Sequence, residues 1–375
     1  MKIDWEEARR EFPALEHWTF LNTATFGQLP RRATAAVAGH FAHRDREACR
    51  DFLGWFDDAD RFRGLVARLV NARPADIAFL NNASSGLSIL LGGIDWKPGD
   101  RVVTLAGEFP NNLYNPAVLG ERGVETVEAA WTGVREAVNA RTRLVILSTV
   151  NYVTGFRPPL EELGGFLREQ GVLLCVDGTQ SVGALRFDCD AVRPALLVVD
   201  AYKWLLGPTG SGFLCARPDV RERLAPAVIG WRSHKGWREV ANLHHGTPEF
   251  AEAAEKYEGG MLTFPSLYGM AASVEMMLEL GPERIEERVL RLAGEAREVL
   301  RAAGAELLSD ELAHHESPVV AARFPGRDAI ELVKQLRDRR ILVSARHGLL
   351  RVSTHFYNNE EDLERLGVAL RELGC

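Results

Sequence analysis

The sequence predicts an α/β protein: a large domain built on a mostly parallel β-sheet with helices on both faces, and a small α+β domain. Three observations carry this. Short apolar runs, namely IAFL (77–80), RVVTL (101–105), LVILSTV (144–150), VLLCVD (172–177) and LLVVDAY (196–202), alternate with helical patterns. These runs are continuous rather than alternating, as in strands covered on both faces. After Phe264 the pattern changes to long helices with a few short strands, and a chain of 375 residues is too long for one small core.

In chain order, the first fifteen residues read as a short acidic helix. Residues 19–30 (TFLNTATFGQLP) form a strand-to-loop passage ended by Pro30, and a helix follows to about Cys49, with Ala33, Val37 and Phe41 at helical spacing. IAFL leads into a polar NNASSG turn and a helix. After the apolar strands, GSGFLCARP (210–218) adds one more, at the far side of the sheet. SLYGMAASVEMMLEL (266–280) is a helix, and IEERVLRLAGEAREVLRAAG (285–304) is a long amphipathic helix with a Gly stop. Then come a strand (SPVVAARF, 317–324), a helix (328–340), strands in ILVSARHG and LLRVSTHF (349–356), and a terminal helix. Residues 20–282 are assigned to the large domain, and 1–19 with 283–375 to the small one.

The net charge of −7 offers no basic excess to neutralise phosphates, which excludes nucleic acid as a main partner. Arg337–Arg340 reads as a solvated helix face. The five cysteines are scattered and form no CxxC pair, which points to reduced thiols and a cytoplasmic protein. The start shows no apolar signal core, and no apolar run approaches the ~18 residues of a membrane span. HKGW and HHG lack a third ligand at metal spacing, so no metal is expected.

Three features carry chemistry. In Val-Asp-Gly-Thr-Gln-Ser (176–181) an apolar strand ends on Asp177, where open α/β sheets place ligands. A carboxylate there can meet a ligand cation such as a pyridinium nitrogen; alone, it reads equally well as a helix cap. Lys203 follows directly on another apolar strand. Burial turns such an amine into a Schiff-base nucleophile, although a lone lysine there more commonly snorkels to solvent. Asn-Asn-Ala-Ser-Ser-Gly (81–86) offers hydroxyls and free N–H groups at a helix start, suited to a phosphate or simply an N-cap.

In combination and in order, LNTATFG, NNASSG, GEFPNN, VNYVTG, VDGTQSVGA, AYKWLLGPTGSGFL and LLRVSTHFYNNEEDLERL resemble the class V aminotransferases, fold-type I enzymes dependent on pyridoxal 5′-phosphate (PLP), over residues 21 to 366. The resemblance implies a large domain with a mostly parallel seven-stranded sheet and a small C-terminal domain. It implies an internal aldimine at Lys203, with Asp177 at the ring nitrogen, Gln180 at the phenolate oxygen and Phe109 stacked on the ring. Ser84, Ser85, Tyr202 and Thr263 would serve the phosphate. Arg351 would grip the substrate carboxylate, with Asn22 also on the substrate. It also implies a homodimer with active sites at the subunit interface.

The chain departs from the family in places. Asp200 stands where desulfurases have a phosphate-binding serine, and an acid beside a phosphate is repelled unless it points away. Met261 occupies a usual threonine position. Tyr152 replaces an asparagine that reaches the cofactor, leaving Asn151 or Tyr152 for that task. The stretch 228–246 resembles kynureninase in its GWRSH and reads as a pocket lining, a loop over the site or a dimer contact. No cysteine occurs between 216 and 374, which weighs against a desulfurase with a loop-cysteine persulfide. The leading expectation is a PLP-dependent aminotransferase of a small amino acid; β-lyase (C–S lyase or kynureninase-like) and epimerase are the alternatives. A nucleotide-binding protein would need a GxGxxG or GxxxxGK[ST] fingerprint, which is missing. A non-enzymatic binding protein is disfavoured by Lys203, Asp177 and Arg351 occurring together.

Overall fold

The continuous apolar runs become strands of one sheet because both their faces are covered. A computed structural model describes residues 3–243, 245–308 and 316–375. Met1 and Lys2 of the chain start and His244 of the HHG run lie outside the described residues. The strands are β1 (Thr19–Phe20), β2 (Ile77–Leu80), β3 (Arg101–Leu105), β4 (Glu125–Ala129), β5 (Thr142–Ser148), β6 (Leu173–Asp177), β7 (Leu196–Asp200), β8 (Gly212–Ala216), β9 (Glu306–Leu307), β10 (Val319–Arg323), β11 (Ile341–Leu342), β12 (Ser344–Arg346) and β13 (Leu349–Ser353). The main sheet has seven strands in the order β2-β8-β7-β6-β5-β3-β4. β7, β6, β5, β3 and β4 run parallel, whereas β8 is antiparallel to both neighbours.

The expected α/β architecture is found, with differences that have physical reasons. GSGFLCARP forms β8, but inside the sheet: β2 takes the edge beyond it. β4 is a polar edge strand, with Glu125 exposed and only Ala129 buried, so no apolar run marks it. The helix Phe52–Leu69 buries Trp55, Phe56, Phe62 and Val66, a stripe not recognised between Cys49 and IAFL. It packs, with Arg31–Glu47, against Phe264–Leu280. Phe41, at helical spacing with Ala33 and Val37, is 48% exposed.

A four-stranded antiparallel sheet, β12-β13-β10-β9, holds the C-terminal part, and ILVSARHG divides between β11 and β12. β1 pairs in parallel with β11, so the N-terminal passage joins this part of the chain. Its core gathers Leu21, Leu292, Leu300, Val320, Leu336, Leu350 and Leu366. Gly281, with a φ of +87°, breaks the path between the helices Phe264–Leu280 and Pro282–Ala302.

The GWRSH segment is anchored rather than lining a pocket at Arg232. The Glu258 side chain is fully buried and takes Arg232 Nη2 at 2.8 Å, Arg63 Nη2 at 3.0 Å and the Phe79 N–H at 2.7 Å. Burial alone would raise the Glu258 pKa, but the two guanidiniums outweigh it and hold it below the ordinary value. Replacing Glu258 by alanine removes the buried acid that the two guanidiniums share, leaving only Asp60 at 3.3 Å from Arg63 and Glu255 at 3.9 Å from Arg232, and is expected to cost ~3–5 kcal/mol of stability in urea unfolding.

Candidate active site

The parallel strands β5, β6 and β7 bring their carboxyl ends to one edge of the sheet, and the chemistry collects there. Ser148 at the end of β5 pairs with Asp177 at the end of β6, and Asp200 ends β7, three residues before Lys203. Lys203 is 7% exposed and Asp177 5%. They attract each other, yet no ion pair joins them among the described residues. Asp177 Oδ1 takes the Thr179 N–H at 2.9 Å. Burial pushes the Asp177 carboxyl up and the Lys203 amine down to about 8, the latter with help from Arg351 and Arg346. Lys256, the other buried lysine, differs: its Nζ donates to the Arg221 carbonyl at 2.6 Å. Lys203 Nζ lies instead 5.3 Å from the Phe109 ring centre and 5.5 Å from that of Tyr202.

The backbone around Lys203 is clamped. A Cβ on Gly27 would stand 1.9 Å from the Lys203 carbonyl oxygen, so only glycine permits this approach. Trp204 Nε1 donates to Gln180 Oε1 at 3.0 Å, and Gln180 Nε2 donates to the Ala24 carbonyl at 3.1 Å. That fixes the amide orientation and leaves Gln180 one further N–H. His355 is wholly buried. Its Nδ1 accepts the Phe356 N–H at 2.8 Å, so its Nε2 carries the proton and donates to the Trp204 carbonyl at 3.0 Å. Burial pushes His355 from 6.5 down to about 4. The unfolded chain therefore binds this proton first as the pH drops. Stability should be full above pH ~6.5 and decline towards pH ~4, by on the order of 3 kcal/mol from this group. Urea midpoints across that range check this, and His355→Gln should flatten the slope.

Phe109 stands beside Lys203, edge-on to Tyr152 at 5.2 Å. Glu108 anchors its loop by accepting the Ser148 N–H at 2.7 Å and Asn112 Nδ2 at 3.0 Å. The NNASSG turn starts the helix Ala83–Gly93, with Asn82 as N-cap. Asn82 Oδ1 takes both the Ser85 N–H and the Ser85 hydroxyl, at 2.9 and 3.0 Å, so this hydroxyl is already engaged. Asp200 Oδ1 accepts the Ala83 N–H at 2.8 Å: the acid does not point away from the helix start but caps it. Burial, then Asp177, push Asp200 up to about 6. Thr263 donates to the Gly210 carbonyl at 2.8 Å, and none of its contacts reaches Lys203 or Asp177.

Arg351, 1% exposed, reaches the site from β13. Its Nε donates to Ser344 Oγ at 3.1 Å, Nη1 to the Tyr152 carbonyl and Nη2 to Thr25 Oγ1 at 2.7 Å. Thr25 in turn donates to Asn22 Oδ1 at 2.8 Å. The chain thus brings Lys203, Asp177, Gln180, Phe109, Tyr202, Asn22 and Arg351 around one site, while Thr263 is held at the Gly210 carbonyl. Sequence reasoning missed Thr25 and His355, although both lie inside the LNTATFG and RVSTHFYN motifs. Tyr152 serves through its carbonyl, which no side-chain pattern reveals. Among the described residues, no group of three or more His, Cys, Asp or Glu could hold a metal ion and no helix is long and apolar enough to cross a membrane.

Residues 55–366 match the family model described as aminotransferase class-V. Isopenicillin N epimerase of Streptomyces clavuligerus is 30% identical, over 99% of this chain and 98% of its own. A probable cysteine desulfurase of Methanothermobacter thermautotrophicus is 26% identical over 98% of both chains. The structure of a cysteine desulfurase from Thermococcus onnurineus superposes with a TM-score of 0.89 at 22% identity, covering 100% of this chain and 98% of that one. A cystine C–S lyase in complex with cysteine persulfide gives the same score and identity, over 96% of this chain and 98% of that one. The expectation against a desulfurase does not stand, because relatives carrying that name match the chain over nearly its whole length. From the family match and the full-length 30% relative, the chain belongs to the class-V aminotransferase family of fold-type I, PLP-dependent enzymes.

Proposed function

We propose that this protein is a PLP-dependent enzyme that acts at the Cα of a small α-amino acid and transfers its amino group, with Lys203 as the anchoring amine and base. The observation that carries this reading is the buried pair Lys203 and Asp177, which attract each other without meeting. Such an acid and amine fit the two ends of a heteroaromatic aldehyde better than they fit each other.

The residues suit the cofactor. Asp177 would hold the ring nitrogen, the spare Gln180 N–H the ring oxygen, and Phe109 a ring face. Ser84 and Tyr202 would serve the phosphate. Asp200 competes with a phosphate for the Ala83 N–H. At about 6 it is still mostly ionised near pH 7, and a phosphate dianion beside it would raise it further, so that the neutral acid is the form compatible with the bound phosphate. Bound PLP supplies an electron sink for the charge left at Cα. Lys203, at about 8, has a neutral fraction in the physiological range, so Nζ can take a proton from Cα and return it. Arg351 offers a guanidinium already oriented by Ser344 and the Tyr152 carbonyl to a substrate carboxylate.

A second reading, C–S or other β-lyase chemistry, draws support from the relatives named cysteine desulfurase. An amino-acid screen, with a second 2-oxo acid present as amino acceptor and a thiol as reductant, separates the two. A 2-oxo acid formed without ammonia or sulfide supports amino transfer; ammonia or sulfide release supports elimination and overturns it. Solvent deuterium entering Cα with inversion would make the protein an epimerase instead.

A further inference from the structure

We infer that Arg346 is a specificity-determining residue that receives a second anionic group, so that the preferred substrate is an α-amino acid with an acidic side chain. This rests on the proposed reading of Lys203 and Arg351.

Arg346 is the last residue of β12, before the turn at His347 and Gly348, both at positive φ. Its Nη2 donates to Thr25 Oγ1 at 3.2 Å, the same oxygen that takes Arg351 Nη2 at 2.7 Å. Two guanidiniums therefore converge on one hydroxyl, whose own proton goes to Asn22 Oδ1. Among the described residues, every hydrogen bond from the two guanidiniums ends on a neutral oxygen: Thr25 Oγ1, Ser344 Oγ, or the carbonyls of Tyr152 and Ala345. Arginines elsewhere in the chain commonly meet acids, as Arg9 meets Asp362, Arg101 meets Glu125 and Arg157 meets Glu286.

The mutual repulsion is felt. Burial and then Arg346 lower Arg351 to about 9, and both arginines oppose the charge on Lys203. One α-carboxylate bound at Arg351 balances one guanidinium. The second then faces a ligand-filled site without an acid, at a desolvation cost that rises as water leaves. An acidic side chain on the substrate removes that cost. The flanking Tyr152 hydroxyl and the His347 ring, 3.1 Å apart, bring no carboxylate to the pair.

The test uses PLP-loaded protein and calorimetric titration with succinate or glutarate against butyrate or pentanoate of equal chain length. The dicarboxylates should bind about tenfold to hundredfold more tightly. Arg346→Ala should erase that preference and Arg346→Lys restore part of it, and Arg346→Gln should raise KM for an acidic amino acid more than it lowers kcat. Equal affinity for mono- and dicarboxylates in the unaltered protein overturns the proposal. So does an equal loss for both in Arg346→Ala, which would mean that the two arginines clasp a single carboxylate. If the holoprotein carries its visible band and Lys203 is the labelled residue, either negative result refutes only the role of Arg346; if no PLP is taken up, the proposed function falls and this inference with it.

Discussion

Lys203→Ala is expected to reduce kcat on any amino-acid substrate by on the order of ten-thousandfold, the upper range for loss of a positioned base. Two roles end together, since the same Nζ anchors the cofactor and moves the Cα proton. Misfolding is not the expected cause. Burial lowers the Lys203 pKa to about 8, so the charged amine is less comfortable in the folded chain than in water. An alanine there removes that penalty, and unfolding of the cofactor-free protein should move little or to higher temperature. Lys203→Arg keeps a charge but loses the nucleophile, and should be equally inactive. Added methylamine should recover part of the activity of Lys203→Ala; no recovery together with an unaltered rate in the variant would contradict the assignment of the base.

Asp177→Asn is expected to lower kcat by about a hundredfold to a thousandfold, the range for removing one preorganised electrostatic partner from a buried site. The shape and the Thr179 hydrogen bond are nearly retained, so the loss isolates the charge. A neutral amide cannot hold a proton on a ring nitrogen. The Asp177 carboxylate is disfavoured by burial, so the change should not destabilise the fold. Kinetics with a slow substrate, alongside the absorbance of the bound cofactor, measure the effect. A variant with full kcat would mean that Asp177 is only the turn-forming residue its link to Thr179 suggests.

The buried half of the fold was legible because burial writes itself into sequence. β5, β6 and β7 are continuous apolar runs whose residues lie almost wholly inside. What escaped lies at edges or depends on contacts distant in the chain. β4 is half-exposed and polar, and β8 slots between β2 and β7 although nothing in GSGFLCARP specifies a neighbour. At the site, Asp177 and Lys203 stood out as polar residues ending apolar strands. The convergence of Arg346 and Arg351 on Thr25 could not be read, since Thr25 and Arg346 are 321 residues apart and meet only through folding. The hydroxyls of Ser85 and Thr263 fit a motif, yet local oxygens engage them first. His355 looked like one more residue of a strand end, and only its contact with the Trp204 carbonyl ties it to the reactive lysine.

Borohydride reduction of the yellow, PLP-loaded protein, followed by peptide mapping, bears on the whole account most directly. The expected result is loss of the visible band and a stoichiometric phosphopyridoxyl label on Lys203 alone. A label on Lys256, the second buried lysine, or a protein that takes up PLP without any reducible linkage, would contradict it.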